Sequence, residues 1–435
     1  MSDRATAPTP EPHRLPPVHK AELFPVDPLG VLTEGHRRFG PVFRMPIDGV
    51  ETVLVCTGTG PTELFALERT SLMVLNTPLV HDLFGGAVFN LTGDGHSEAR
   101  RRLRPAISGR ALACYAPILL EVAAPVAARW ARHGGRDLHG QVRELTGAMC
   151  ARILLGIPPG EPDALAFTDC FEDFVTATGV RPGRARYTTR RYWVGLRARR
   201  RLNDLFARRI ERTRGAAPAD SAIGGLAAAF DDAPAAAGML EDHLLALLIA
   251  ARETTASLIT WALVELAAHR EHALAAAAEA RTAVVEPELL VRRNALAVLK
   301  SVLAETERLH SPNLLSMRET RCPVTVGGYG IPAGRRVAYS PSAGHFDTEM
   351  FTDPYTFRPQ RFNADPTLRS RLWTFGGGAH ACLGRPLAEL MTLAVLAAVL
   401  SQGLPHLPDG PPTRIRHRPA KTPIEPLAFA LEPES

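Results

Sequence analysis

The 435-residue sequence lacks the usual devices for stapling, anchoring or strongly charging a chain. Its six cysteines (Cys56, Cys114, Cys150, Cys170, Cys322 and Cys382) are scattered, with no C-x-x-C and no repeated spacing. That argues against a disulfide framework and leaves no ready tetrahedral zinc site. The first 20 residues are polar and proline-rich with no apolar stretch, so no secretory signal is expected. The most apolar run, Leu244–Ala251, ends directly at Arg252 and Glu253, short of what a bilayer requires. The expectation is a cytoplasmic, monomeric chain with no membrane anchor. Charge is nearly balanced, 50 basic against 45 acidic residues for a net +5, which speaks against a nucleic-acid partner. There is no internal repeat, no strand–helix alternation implying a parallel sheet, and no nicotinamide or flavin fingerprint.

What is present is 46% hydrophobic content, enough for a large core. Residues 1–20 read as a disordered tail, and 21–435 as one domain. Two β-prone runs, Val42-Phe43-Arg44-Met45 and Thr52-Val53-Leu54-Val55, flank Asp48-Gly49, a hairpin signal. A helix is expected from Pro61 to about Leu67. Beyond it the chain reads as mainly α with a small β region. A long helix runs from Asp242, taken as its N-cap, to about Ala275. Another covers Ala295 to Leu309. Residues 163–214 read as helices broken at Gly179–Gly183, and 216–238 as a loop or short helical link.

One stretch concentrates chemistry: Phe375-Gly376-Gly377-Gly378-Ala379-His380-Ala381-Cys382-Leu383-Gly384. Glycines allow positive φ and close approach to a flat ligand. A cysteine just ahead of a helix start feels unpaired N–H groups and the positive end of the helix dipole, which favour thiolate. A buried, inert cysteine is the commonest alternative. A phosphate loop fails because the third glycine of G-x-G-x-x-G falls on Ala381 and no Gly-Lys-Ser/Thr follows. The loop resembles the cysteine-ligand loop of the cytochrome P-450 family, F-x-x-G-x-H/R-x-C-x-G, matching at Phe375, Gly378, His380, Cys382 and Gly384.

Four further segments, in order, strengthen the resemblance. His96 and Arg100 share a helix face and are similar to the family's H-x-x-x-R. Alone they read as part of a solvated basic face with Arg101, Arg102 and Arg104. Ala250-Ala251-Arg252-Glu253-Thr254-Thr255 puts charge and hydroxyls into an apolar helix, a local conflict typical of functional sites. It resembles the family's A/G-G-x-D/E-T, with Ala251 in place of the glycine. Glu305 and Arg308 are spaced as E-x-x-R, otherwise an ordinary surface pair. Arg361 in F-R-P-Q-R-F corresponds to the second arginine, with Gln360 replacing the usual acid. Arg318 stands where the family places a propionate-binding arginine, and His345-Phe346-Asp347 departs from the family pattern at Phe346.

The resemblance implies the cytochrome P-450 fold and haem b (iron protoporphyrin IX), with Cys382 as the iron ligand. Phe375 and Gly384 would shape the loop. His96, Arg100, Arg318 and His380 would bind propionates. Glu253 and Thr254 would relay protons to dioxygen, while Glu305, Arg308 and Arg361 would support the cysteine loop. The implied activity is monooxygenation of an apolar small molecule, by hydroxylation, epoxidation or oxidative coupling, in secondary metabolism. Ferredoxin and ferredoxin reductase would supply electrons. A peroxide-driven haem-thiolate oxidase and a non-enzymatic haem sensor are the alternatives. Expected pocket walls are the loop Pro78–Thr92, Ile249, Ala250 and Leu314. Asn90 is a candidate polar contact, and a loop-capping role is equally open to it.

Overall fold

A computed structural model describes residues 11–14, 23–75, 77–180, 183–213, 220–235 and 238–434. Asp48 and Gly49 take positive φ (50° and 77°) and fold strand Val42–Ile47 back on Val50–Val55, with Val42 opposite Val55 and Ile47 opposite Val50. This is the turn that Asp-Gly predicts. The chain divides into two compact units, each assembled from separated segments.

The first unit comprises Met1–Leu75, Arg308–Phe357 and Thr367–Cys382. Its sheet has six strands, in the order His13–Arg14, Val42–Ile47, Val50–Val55, Arg336–Tyr339, Ser316–Thr320 and Leu72–Val74. The pairing of His13 and Arg14 with Phe43 and Arg44 corrects the expectation of a wholly disordered tail. Residues 1–10 and 15–20 lie outside the described set. Phe24, Val31, Leu32, Phe43, Met45, Ile47, Leu54 and Leu314 pack in one cluster, and Val42, Val53, Val55, Leu64, Val337 and Tyr339 in another. Successive strand residues point to opposite faces, so strands Val42–Ile47, Val50–Val55 and Arg336–Tyr339 each feed both clusters. In helix Pro28–Phe39 only a glycine fits at Gly35, where a Cβ would lie 2.5 Å from the Phe43 ring.

The second unit, Asn76–Glu307, Arg358–Pro366 and Leu383–Ser435, is built on helix Leu240–Ala268. Helices Leu138–Leu155 and Arg385–Leu400 pack on it. Helix Gly109–His133 lies against Arg385–Leu400 and accommodates Pro117 and Pro125. By length and composition, Gly109–His133 and Leu240–Ala268 are each apolar enough to cross a bilayer, and the latter is mostly buried within the fold. The long helix starts two residues earlier than expected and ends at Ala268, before a second helix, Arg270–Val285. Asp242 is therefore inside the first turn and not the N-cap. Helix Ile223–Phe230 occupies the expected loop or helical link. The break between helices Pro162–Thr178 and Arg190–Thr213 is where expected, with Arg181 and Pro182 outside the described residues.

Candidate functional site

The cysteine loop belongs to the first unit. Gly376 and Gly378 adopt φ of 66° and 65°, a region that disfavours other residues. The loop closes through the Cys382 N–H, which donates to the Phe375 carbonyl at 2.8 Å. A Cβ on Gly377 would meet the Phe65 ring at 2.3 Å, and one on Gly378 would meet the Phe65 carbonyl at 2.4 Å. The glycines thus let the loop lie flush on the end of helix Gly60–Leu67. Cys382 is exposed at the loop's end. Cys56 and Cys150 differ in kind: both are sealed in the core, and burial pushes each thiol up to about 12, which suppresses the thiolate.

A buried histidine ties this loop to its support. The Trp373 N–H donates to His345 Nε2 at 3.1 Å, while His345 Nδ1 lies 3.0 Å from the Arg308 carbonyl. Nδ1 therefore carries the proton. His345 is fully buried, and burial, with the nearby Arg308 charge, lowers its pKa to about 3. Arg308, also fully buried, donates to the carbonyls of His345, Pro354 and Thr356. Three carbonyls along one stretch are thus gathered by one guanidinium, a use of arginine that needs its fixed fork of donors. Phe346, the residue that departs from the family pattern, stacks on Tyr355 with centroids 5.1 Å apart.

Arg318 is 5% exposed. Its Nε and Nη2 donate to Glu68 Oε1 at 3.0 and 2.6 Å, and Glu68 Oε2 accepts the His380 backbone N–H at 2.9 Å. Sequence reasoning missed Glu68, because a single glutamate at a helix end carries no distinguishing pattern. Leu314, expected as a pocket wall, is 4% exposed inside the sheet's core cluster, and its neighbours Leu315 and Met317 are the partly exposed ones.

In the second unit, Glu305 is fully buried. Its Oε1 accepts Arg361 Nε at 3.1 Å and the Arg358 backbone N–H at 2.9 Å. Glu253, Arg252, Arg143 and Glu172 form a four-charge cluster across three helices. Arg143 Nε lies 3.3 and 3.2 Å from the two Glu253 oxygens, and its Nη2 reaches Glu253 and Glu172. Arg252 bonds Glu172, donates to the Arg143 carbonyl and lies over the Phe171 ring. Gly147 leaves it room, since a Cβ there would sit 3.2 Å from Arg252 Nε. Arg252 is 3% exposed, its charge met by Glu172 within the fold. One turn of the same helix stays open: Ala250 and Thr254 are exposed, Ile249 and Ala251 partly so. Thr254 Oγ1 donates to the Ala250 carbonyl at 2.6 Å, the back-bond that a helical threonine can make.

His96 is 5% exposed on helix Gly93–Leu103, with Arg100 half-buried one turn on. Arg101 and Arg104 are exposed, but Arg102 is 10% exposed, bonding Glu98, Asp232 and the Ala229 carbonyl. It is part of the packing, not of a basic surface. Asn90 donates its side-chain nitrogen to the carbonyls of Val80 and Gly85, bracing its own loop. Asp242 accepts from the Gly86 N–H at 2.8 Å and from Arg199, and His243 Nδ1 accepts from the Val88 N–H at 3.0 Å. Asp82 accepts Arg186 Nε at 2.8 Å and the Tyr192 hydroxyl at 2.9 Å. Segment 78–92, expected as a loop, instead contains helix Pro78–Phe84 and a short turn of helix at Val88–Asn90, and it is held to the long helix and to the segment before and within helix Arg190–Thr213. Among the described residues, no three His, Cys, Asp or Glu side chains cluster to hold a free metal ion.

Residues 10–421 match the family described as Cytochrome P450. Cyclooctat-9-en-7-ol 5-monooxygenase of Streptomyces melanosporofaciens is 27% identical over 393 residues, which is 80% of this chain and 82% of that protein. Abscisic acid 8'-hydroxylase 2 of Oryza sativa subsp. indica is 25% identical over 392 residues, 86% of this chain and 76% of the relative. Among solved structures, a retinoic acid-bound cyanobacterial CYP120A1 superposes with a TM-score of 0.82 at 22% identity, covering 98% of this chain and 99% of that one.

Proposed function

The chain belongs to the cytochrome P450 family, and from that premise we propose that it is a monooxygenase whose haem b is held by Cys382 and which oxidises an apolar small molecule bearing at least one hydroxyl or carboxyl group. Membership makes it a haem-thiolate monooxygenase that uses dioxygen, external electron donors and a hydrophobic substrate. The observation that carries the assignment to Cys382 is its seat on a glycine-rich loop closed by its own N–H; Cys114 and Cys322 are exposed too, but Cys114 lies within helix Gly109–His133 and Cys322 just past strand Ser316–Thr320, while Cys56 and Cys150 are sealed in apolar cores.

Phe375 and Gly384 flank the cysteine in sequence, and Arg318 and His380 in its own unit, with His96 and Arg100 in the second, are the cationic or N–H-bearing residues proposed to bind the propionates. Thiolate-ligated haem, once reduced, activates dioxygen and supports O–O cleavage. The protein's part is to hold substrate, exclude water and deliver protons. Thr254 offers a hydroxyl on the open turn of its helix. Glu253 is the acid beside it, and to carry a proton it must release at least one of the arginine contacts that now hold it.

The substrate reading follows the relatives' names, which give an alcohol and an acid as the molecules oxidised. A secondary-metabolite role is the proposed setting. Ferredoxin with its reductase is the proposed electron source, and exposed Arg101 and Arg104 suit an acidic partner. The decisive test is Cys382→Ser. The wild-type ferrous–CO complex should absorb at the thiolate position and the variant should not; an unchanged band in the variant overturns the ligand assignment. Turnover with NAD(P)H, ferredoxin and reductase, against peroxide alone, separates the monooxygenase from the peroxide-driven alternative.

A further inference from the structure

Glu68 has no role in the proposed chemistry, yet both of its carboxylate oxygens are engaged. Its side chain is 1% exposed, at the end of helix Gly60–Leu67. One oxygen takes both Nε and Nη2 of Arg318, and the other takes the His380 N–H. Arg318 spends Nη1 on Ser316 Oγ and the Met317 carbonyl, both at 2.9 Å. A guanidinium has five N–H groups. These contacts use Nε, both hydrogens of Nη1 and one hydrogen of Nη2, leaving a single Nη2–H for a further acceptor. The seat is tight: a Cβ on Gly378 would come within 2.8 Å of Glu68 Oε2.

We propose that Glu68 is a positioning residue for the haem, acting through Arg318 and His380: it clamps the cysteine loop to the sheet and neutralises Arg318, so that the arginine meets a propionate as an already paired cation. The proposal rests on the haem-thiolate reading above. Its physical consequence is electrostatic. With a propionate bound to Arg318, two carboxylates share one buried cation, and the cluster carries net negative charge where a lone arginine–propionate pair would be neutral. In a low-dielectric interior that extra charge favours the ferric over the ferrous state.

The test is a potentiometric titration of the holoprotein, with haem content measured alongside. In Glu68→Gln, which keeps shape and one acceptor but loses the charge, the ferrous-to-ferric ratio at a fixed potential should rise by about tenfold. Arg318→Gln should move the ratio the opposite way. Glu68→Asp, which retains the charge, should stay near wild type. Opposite signs for Glu68→Gln and Arg318→Gln are the signature of charge, since loosened packing would drive both variants in one direction. A Glu68→Gln ratio within about twofold of wild type, or shifts of the same sign in the two Gln variants, overturns the proposal. If Glu68→Gln does not fold, the smaller Glu68→Ser decides in its place, a ratio within about twofold of wild type or a shift of the same sign as in Arg318→Gln being the refuting result. Failure of the underlying reading is separately visible as a wild-type ferrous–CO band away from the thiolate position.

Discussion

Acid should attack this protein through His345. Its imidazole is fully buried, with Nδ1 toward the Arg308 carbonyl and Nε2 accepting the Trp373 N–H, and its pKa lies at about 3. In an unfolded chain the same group titrates near its ordinary 6.5. A group whose native pKa is depressed contributes stability that is fully present above the unfolded value and is lost as pH falls toward the native one. The window here is pH 6.5 to 3. At pH 5 the unfolded imidazole has gained a proton that the native state refuses, and the gap of roughly 1.5 units at 1.36 kcal/mol each is about 2 kcal/mol. The ceiling, over the whole window, is about 5 kcal/mol. His345→Asn keeps a donor and an acceptor but cannot titrate. It should be less stable than wild type at pH 8, yet lose about 2 kcal/mol less between pH 8 and pH 5. Urea unfolding of both holoproteins at several pH values measures this. His139, with a pKa of about 4 from burial, contributes equally to both and cancels. Parallel stability curves would refute the reasoning, since they would mean that His345 is either hydrated or already charged in the native state.

Three other outcomes are expected. Arg361→Met leaves Glu305 buried without its guanidinium and should cost about 3–5 kcal/mol in the same unfolding assay; the double variant Glu305→Leu with Arg361→Met should recover a large part of it. Thr254→Ala should lower the fraction of NAD(P)H converted into product and release peroxide instead, measured by comparing reductant consumed with product formed. Asp82→Asn weakens the contacts to Arg186 and Tyr192, and amide hydrogen exchange over residues 183–192 should speed up by roughly tenfold, while exchange in helix Leu240–Ala268 stays as it was.

The features legible in the sequence are those whose physical demands are local. Asp48-Gly49 announces its turn because both residues need positive φ, and the cysteine loop is visible because its glycines, phenylalanine and cysteine must sit at fixed offsets. Glu305 and Arg361 are brought together only by the resemblance to the family's two arginine motifs, and the second contact of Glu305, to the Arg358 N–H, has no side-chain signature at all. Where partners are distant, the reading stopped. Glu68 and Arg318 are 250 positions apart, and nothing in either neighbourhood marks the other. Asp242 has the composition of an N-cap but serves Gly86 and Arg199. The burial of Arg252 has no local signature, because its partner Glu172 lies on a helix 80 positions earlier and the space that admits it is left by a glycine, Gly147, on yet another helix.

The sequence order of the first unit has a consequence for how the protein is made. Met1–Leu75 emerges first, but its sheet lacks Arg336–Tyr339 and Ser316–Thr320 until more than three hundred residues have been translated, and Glu68 has neither Arg318 nor His380 to bond. Strand Val50–Val55 meanwhile presents an open edge, the surface through which nascent chains pair wrongly. An early segment is thus among the last to be completed, since its unit closes only with the stretch that ends at Cys382. Expression that slows translation or supplies chaperones should therefore raise the yield of folded protein, because it protects an unfinished sheet edge.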